Sequence, residues 1–487
     1  MSLRLVTEET PGRGLVAVAL TVAAGGDHDP PGRHGMAHLV EHLMFPRGDG
    51  DGDGDGHGGG RGDGAADDVA AGAARGAGSG AEARAAAEGS DGAGAVGAGG
   101  AGAGGAGAGG AGFVALVQEA GGMCNAETHR DHTVLHTVVP ADALPDVLAL
   151  EARRLLRFRP APATVRSETA VVAEEIRAAG AGARLWDTVL AALHPGARHA
   201  YGTTAELTGV TVEETESFFR AHYRPERAVL SVVGDVDAGR VAALVEREFG
   251  TWAPGFPAAV PPATFPPATA PAPLPADVPP APSPPAVPRT PSGHLPSAHR
   301  SPLGAAVPYA RDGVAVGHAL ADPRDDFRLY VAQVVLCELL RRSRLPRLVA
   351  TAPEVDAAAV QCGYQGQWLA SAAPDLALVL LGRVPGAGTE EAVGRWLGAL
   401  GELAATPPGA TELRRASRVL RAGCHRQSDS LPARAVTHAR AALLLPHATP
   451  DALPAHLAAV TPADVSTAAR ALLAAPRTVH PLEGPSA

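Results

Sequence analysis

Residues 38–42 read His-Leu-Val-Glu-His. On a helix the two histidines lie one turn apart and share a face, so both imidazoles reach one zinc ion. Glu41, three residues after His38, falls on nearly the same face, placed to hold a metal-bound water and take its proton. A catalytic zinc keeps one position open and wants a third protein ligand from elsewhere. The stretch VRSETAVVAEEIRAAG (165–180) offers Glu168 and Glu175, two helical turns apart on one face, with Val171 and Val172 between them on the packing side. One glutamate would bind metal while the other orients a ligand. Histidines at this spacing also occur by chance on surface helices, and paired glutamates suit a solvated face. Residue types alone leave both readings open; the order H-x-x-E-H, a zinc-protease signature, favours the metal.

These residues need elements to hold them. A turn, DPPGRHG, precedes a short helix at 36–45 that Pro46 stops. Strands are expected at 14–24, 132–139, 228–236 and 375–384, short runs rich in β-branched residues and bounded by turn formers. Helices are expected at 142–157, 164–178, 211–222, 238–249, 325–343, 389–404 and 411–428. Two stretches of similar pattern, VTVEETESFFRAHY (210–223) and VTPADVSTAARALL (460–473), each begin with a helix N-terminal signal and suggest two related domains.

Composition bounds the rest. The chain has 487 residues, more than one compact domain usually holds. Hydrophobic residues make up 46%, enough for real cores, whereas 59 glycines and 44 prolines require long stretches of loop. Residues 48–112, dense in Gly, Ala and Asp, carry Val69 and Val96 as their only aliphatic residues larger than alanine and read as a disordered insertion. Their Asp-Gly run lacks the spacing of a calcium loop. Residues 254–308 form a Pro/Ala-rich spacer. The expected organisation is therefore 1–253, the linker 254–308, and 309–487. All 41 basic residues are arginine, the net charge is -10, and no basic run is present, which argues against nucleic acid. No apolar leader or run of membrane-spanning length stands out. Cys124, Cys337, Cys362 and Cys424 form no C-x-x-C pair, and a cytoplasmic setting with reduced thiols is expected.

Several blocks in order resemble the insulinase–pitrilysin family of zinc metallopeptidases, in its two-domain bacterial form close to the mitochondrial processing peptidases. PPGRHGMAHLVEHLMF (30–45) resembles the active-site helix, QEAGGMCNAETHRDHTVLHTVV (118–139) a Gly-Gly-x-x-Asn-Ala-x-Thr strand block, and SETAVVAEEIR (167–177) the segment of the third ligand. RHAYGTTAELTGVT and FFRAHYRPERAVLSVVGDV resemble later blocks of the first domain. The resemblance implies an α+β fold of two homologous domains, each a mostly antiparallel sheet layered with helices. It implies one zinc per chain held by His38, His42 and Glu175, Glu41 as general base, and Glu168 as an acid orienting a ligand. Asn125 and Ala126 would lie beside a bound peptide. Unfolded or short peptides would be hydrolysed inside a chamber formed with a second copy or a related subunit, the peptide adding a strand to a sheet edge. The alternative is a non-catalytic or partner-dependent, peptide-binding subunit.

The chain departs from that pattern in places. The 48–112 insertion is unusual and is expected to loop out. Glu127 stands where an aromatic residue is frequent, and RHAY replaces His-Pro-Tyr; neither is expected to touch a ligand. The second domain offers Arg344, Arg347 or Tyr364 near the substrate, with ordinary surface or strand roles the plainer reading. His34, His129, His132 and His136 are expected to be packed or hydrogen-bonded rather than metal-bound.

Overall fold

The computed structural model describes residues 3–45, 113–252, 312–372 and 374–483; the 48–112 insertion and the 254–308 linker lie outside the described residues. In the first half β1 (Arg4–Glu9), β2 (Leu15–Val22), β3 (Met123–Thr128), β4 (Thr133–Pro140) and β5 (Ala228–Gly234) form one sheet in the order β1-β5-β2-β4-β3. All its pairings are antiparallel except β1 with β5. Its helices are α1 (Met36–Met44), α2 (Phe113–Glu119), α3 (Leu144–Leu156), α4 (Pro162–Ala178), α5 (Ala181–Leu193), α6 (Thr204–Leu207), α7 (Val212–His222) and α8 (Ala238–Phe249).

In the second half β6 (Gly313–Ala319), β7 (Val355–Cys362), β8 (Leu376–Arg383) and β9 (Arg477–Leu482) form an antiparallel sheet in the order β7-β8-β6-β9. The helices are α9 (Phe327–Leu339), α10 (Leu345–Thr351), α11 (Thr389–Ala405), α12 (Ala410–Ser428), α13 (Leu431–Leu443), α14 (Leu453–Ala459) and α15 (Pro462–Ala474). Read from its other edge, β9-β6-β8-β7 repeats the order β5-β2-β4-β3. The two similar sequence stretches fall at equivalent places, α7 before β5 and α15 before β9. Each opens with a reciprocal cap, Thr211 with Glu214 and Thr461 with Asp464.

Strands β2 and β5 are buried along almost their whole length rather than on alternate residues. The reason lies across the chain. One face of the first sheet packs on its own helices, and the other is covered by α13 from the second half, where Leu431 and Ala435 meet Ala17, Ala19 and Val233. Small residues on both sides let helix and sheet approach closely. Conversely α5 lays Trp186, Val189, Leu190 and Leu193 on Ala315, Leu376, Leu378 and Leu380 of the second sheet. Side chains of that size contribute about 1.5–3 kcal/mol each on burial. Polar contacts reinforce the exchange: Arg434 on α13 donates to Glu8 at 2.6 Å, and His438 lies 2.7 Å from the same carboxylate.

Some elements differ from the sequence expectation. The helix expected over 325–343 ends at Leu339 and continues as one π-helical turn, Leu340–Arg344, because Pro346 supplies no backbone donor to the turn before it. Strands β1, β6, β7 and β9 and helices α5 and α13 carried no isolated pattern strong enough to name them. The ends of the insertion meet in space. Phe45 and Phe113 pack edge to face with centroids 5.4 Å apart, and the Arg154 guanidinium lies 4.4 and 4.2 Å from the two rings.

Replacing residues 47–111 with a short Gly-Ser linker is therefore expected to leave the circular dichroism of the folded core and the melting temperature unchanged within a few degrees; a collapse of either contradicts the clamp. A second expectation concerns acid. Burial alone raises the Glu8 carboxyl, but hydrogen bonds from His438 and Arg434 outweigh it and hold the group down at about 2, against an ordinary value of 4.5. A depressed carboxyl stabilises the folded state above about pH 4.5 and loses that contribution as pH falls towards about 2. Glu8→Gln should lower stability by about 1–2 kcal/mol near neutrality, after allowance for solvent screening. The melting-temperature gap between variant and wild type should close between pH 4.5 and 2; a gap independent of pH refutes the assignment.

Candidate metal centre

Every residue of α1 is buried, including His38, Glu41 and His42. Its start is fixed by Asp29, whose carboxylate accepts from Gly35 N at 2.6 Å and Ala37 N at 2.8 Å, capping the helix from a distance. The loop 200–203 crosses that start. Gly202 has φ +85°, and a Cβ there would meet Gly35 Cα at 2.3 Å, so only glycine permits the crossing. The crossing sets the Tyr201 carbonyl 3.4 Å from His38 Nδ1 and the Tyr201 ring edge-on to His38 at 5.8 Å.

Helix α4 packs against α1 through Val165 and Val172, with Val171 half-buried, and points Glu168 and Glu175 at it. Glu175 Oε2 lies 3.5 Å from Nε2 of His38 and 3.5 Å from Nε2 of His42. The two rings stand 4.8 Å apart. Glu168 Oε2 lies 3.1 Å from His42 Nδ1. Glu41 receives a short hydrogen bond from Thr128 Oγ1 on β3, and Thr128 is in turn 3.3 Å from Thr133 Oγ1.

The electrostatics follow from burial. Burial pushes Glu41 up to about 7, the largest effect there, although Thr128 opposes it. Burial and the neighbouring His42 push His38 down to about 4. Burial would lower His42 as well, but the hydrogen bond to Glu168 and the Glu175 carboxylate 3.5 Å away carry it up to about 9. The Tyr201 phenol is raised by burial to about 12 and stays neutral.

The donor set fits a divalent metal. One ligand atom from each of His38, His42 and Glu175 lies within 4.8 Å of the others, the only such group among the described residues. Four donors at about 2.1 Å from a tetrahedral centre sit roughly 3.4 Å apart, close to the two 3.5 Å separations here. The outer nitrogens of both imidazoles are engaged, by Tyr201 O and Glu168, while the buried Nε2 of His42 makes no hydrogen bond of ordinary geometry. That is the pattern in which an outer partner fixes the tautomer and frees the inner nitrogen for metal.

The structure thus brings together His38, Glu41, His42, Glu168 and Glu175. Asn125 and Ala126 lie on edge strand β3, Ala126 turned to the core and Asn125 to the opposite face, paired with His136. The expectation that RHAY touches no ligand is corrected: Tyr201 meets His38 through both carbonyl and ring, because the Gly35–Gly202 crossing presses its loop onto α1. Thr128 and Tyr201 were missed as site residues although both sit in quoted blocks; a fixed hydroxyl beside a general base was the available signal for Thr128. Glu127 pairs with His129 at 3.3 Å, and His132 with Asp131 at 2.7 Å. His34 meets the His199 carbonyl at 2.8 Å. None of these joins the group. Arg344 is committed to Glu412 on α12 at 3.1 Å, and Arg347 is exposed. Tyr364 instead reaches the first half, donating to Asp187 on α5.

Residues 4–49 match the family model described as insulinase (peptidase family M16), and residues 209–351 that of the peptidase M16 inactive domain. A protein of Mycobacterium leprae named an uncharacterized zinc protease is 36% identical over 140 residues, 28% of this chain and 32% of that protein. One from Mycobacterium tuberculosis with the same description is 36% identical over 136 residues, covering 27% and 31%. The matched stretch thus spans about a third of these relatives. Among solved structures, a protease from Helicobacter pylori superposes with a TM-score of 0.63 at 17% identity, covering 98% of this chain and 97% of that one. A putative M16-like peptidase from Alicyclobacillus acidocaldarius gives 0.59 at 14% identity, over 98% and 96%. The periplasmic protease PqqL of Escherichia coli gives 0.57 at 15%, over 97% of this chain and 45% of that one. The chain thus matches two models of one peptidase family over part of its length, and its fold is similar to that of proteases at 14–17% identity.

Proposed function

We propose that the chain is a zinc-dependent metalloendopeptidase that hydrolyses bonds of unfolded or short peptides. The observation that carries this reading is the buried His38–His42–Glu175 group with Glu41 beside it. His38, His42 and Glu175 would hold one zinc. The ion supplies a water of lowered pKa and polarises the peptide carbonyl. Glu41, buried and poised near neutrality, accepts the proton of the attacking water and returns it to the leaving amine. Thr128 fixes the rotamer of Glu41. Glu168 fixes the ring of His42 and strengthens its inner nitrogen as a donor. Among the described residues β3 is an edge strand of its sheet, and pairing of an extended peptide along it supports a role for Asn125 and Ala126 beside the substrate. A homodimer, or a heterodimer with a related subunit, belongs to the same proposal. So does a cytoplasmic setting, which agrees with four free thiols. No helix among the described residues is long and apolar enough to cross a membrane.

The decisive test compares zinc content and cleavage of an unfolded-peptide mixture. Wild type should hold about one zinc per chain and cut; Glu41→Gln should hold zinc and lose cleavage by several orders of magnitude. Wild type without zinc, or Glu41→Gln with undiminished cleavage, ends this reading. Glu168→Gln should weaken zinc binding about 10–100-fold in competition with a chelator while leaving the fold intact; unchanged zinc affinity removes Glu168 from its orienting role.

A further inference from the structure

The turn between β3 and β4 joins the candidate base to the second half of the chain. Strand β3 lies at the edge of its sheet and, among the described residues, pairs only with β4. Its last pair is Thr128 with Thr133. Beyond that pair His129 N donates to His132 O at 2.8 Å and closes the turn. Thr128 is thus the end of an edge strand, and it is also the hydroxyl that donates to Glu41. The hydrogen of its cross-strand neighbour is committed elsewhere, since Thr133 Oγ1 donates to the Ala24 carbonyl at 2.8 Å. The place of the Thr128 hydroxyl is therefore set by the place of the turn.

Two sets of contacts hold the tip of this turn. From the first half, Gly26 N donates to His129 O at 3.1 Å and Asp27 N to Arg130 O at 2.8 Å, and the buried Arg130 side chain reaches Asp27 at 3.2 Å. From the second half, Ala372 N donates to Asp131 Oδ2 at 2.7 Å, and the Pro374 carbonyl accepts from Arg130 Nη1. The other oxygen of Asp131 lies 2.7 Å from Nδ1 of buried His132. One carboxylate thus bridges the turn and the second half. The second-half end of the bridge is itself anchored. Buried Asp375 accepts from Tyr364 N at 2.6 Å, Leu376 N at 2.8 Å and the hydroxyl of fully buried Tyr330 at 2.7 Å, while its carbonyl accepts from Leu320 N at 3.0 Å.

We propose that Asp131 is a positioning residue for Glu41: by taking the Ala372 amide it fastens the β3–β4 turn to the second half, and the turn so held keeps the Thr128 hydroxyl on the base. This rests on the peptidase reading above. A general base works from within hydrogen-bond reach of the proton it takes, and groups that do chemistry need holding to about 0.5 Å by partners that are themselves locked. Asp131 moves no proton and acts through Thr128. The second half then bears on the reaction through two backbone groups, the amide of Ala372 and the carbonyl of Pro374.

The experiment uses the full-length chain, loaded with zinc, and fluorescein-labelled unfolded casein, well below the melting temperature. Asp131→Ala should lower kcat about tenfold, less than the roughly hundredfold that a displacement of about 1 Å can cost. KM should stay within about threefold and zinc near one per chain, because neither substrate contacts nor ligands change. Asp131→Asn, whose amide oxygen still accepts from Ala372 N, should restore kcat to within about twofold of wild type. Thr128→Val should lower kcat at least about tenfold, and adding Asp131→Ala to it should cost less than about a further twofold, since both act through one hydroxyl. A residue that only stabilises the fold behaves otherwise: it lowers the melting temperature with kcat unchanged, or its loss multiplies with that of Thr128→Val. Either result overturns the proposal, as does Asp131→Asn being as slow as Asp131→Ala. Should Asp131→Ala not fold, Asp131→Ser takes its place with the same expectations, its side chain being too short to reach Ala372 N. A wild type that cuts while these variants keep its kcat overturns this inference alone. A wild type without zinc or without cleavage ends the peptidase reading, and this inference falls with it.

Discussion

Burial of ionisable groups on α1 is the constraint to which the rest of the first half answers. Charged side chains taken out of water cost several kcal/mol each unless their polar atoms find partners. The fold provides those partners from four separate places: Asp29 at the helix start, the 200–203 loop over His38, α4 beside His42, and β3 beside Glu41. The inner nitrogens of His38 and His42 are the exception, turned to a carboxylate at 3.5 Å rather than to an ordinary partner. A cluster so arranged brings one ligand atom each from His38, His42 and Glu175 within 4.8 Å of one another.

The two halves divide the work unequally. The first half holds every proposed metal ligand and the proposed base. The second repeats the sheet order without the motif, and its turn at 363–369 meets the first half where Tyr364 donates to Asp187 on α5. The two-way exchange of α5 and α13 explains how such a distant turn is held steadily. Tyr364 rests on α5, which is itself packed on the second sheet.

Much of the site was legible because H-x-x-E-H, the paired glutamates and the Asn-Ala-x-Thr block are local patterns whose spacing carries geometry. The helices holding them were legible for the same reason: α4 and α8 show clear periodicity and sit where the pattern put them. Other elements were not. The strand β6, GVAVGHA, is buried on both faces and so lacks alternation, and α13, LPARAVTHARAAL, has an alanine-rich packing face that reads as weakly amphipathic. Both owe their burial to the opposite half, information that no local window contains. Tyr201 was opaque for the same reason: its place against His38 depends on the close crossing of Gly35 and Gly202.

The placement of α13 also bears on how the chain is made. The last strand of the first sheet ends at Gly234, yet the helix that covers its outer face begins at Leu431 and ends at Leu443, about 200 residues later. At roughly 5–20 residues per second, a ribosome leaves that face bare for roughly 10–40 s. During synthesis the first half is thus a sheet with one side open to water and to other nascent chains. Its small alanines at 17 and 19 expose less apolar area over that interval than leucines or valines would.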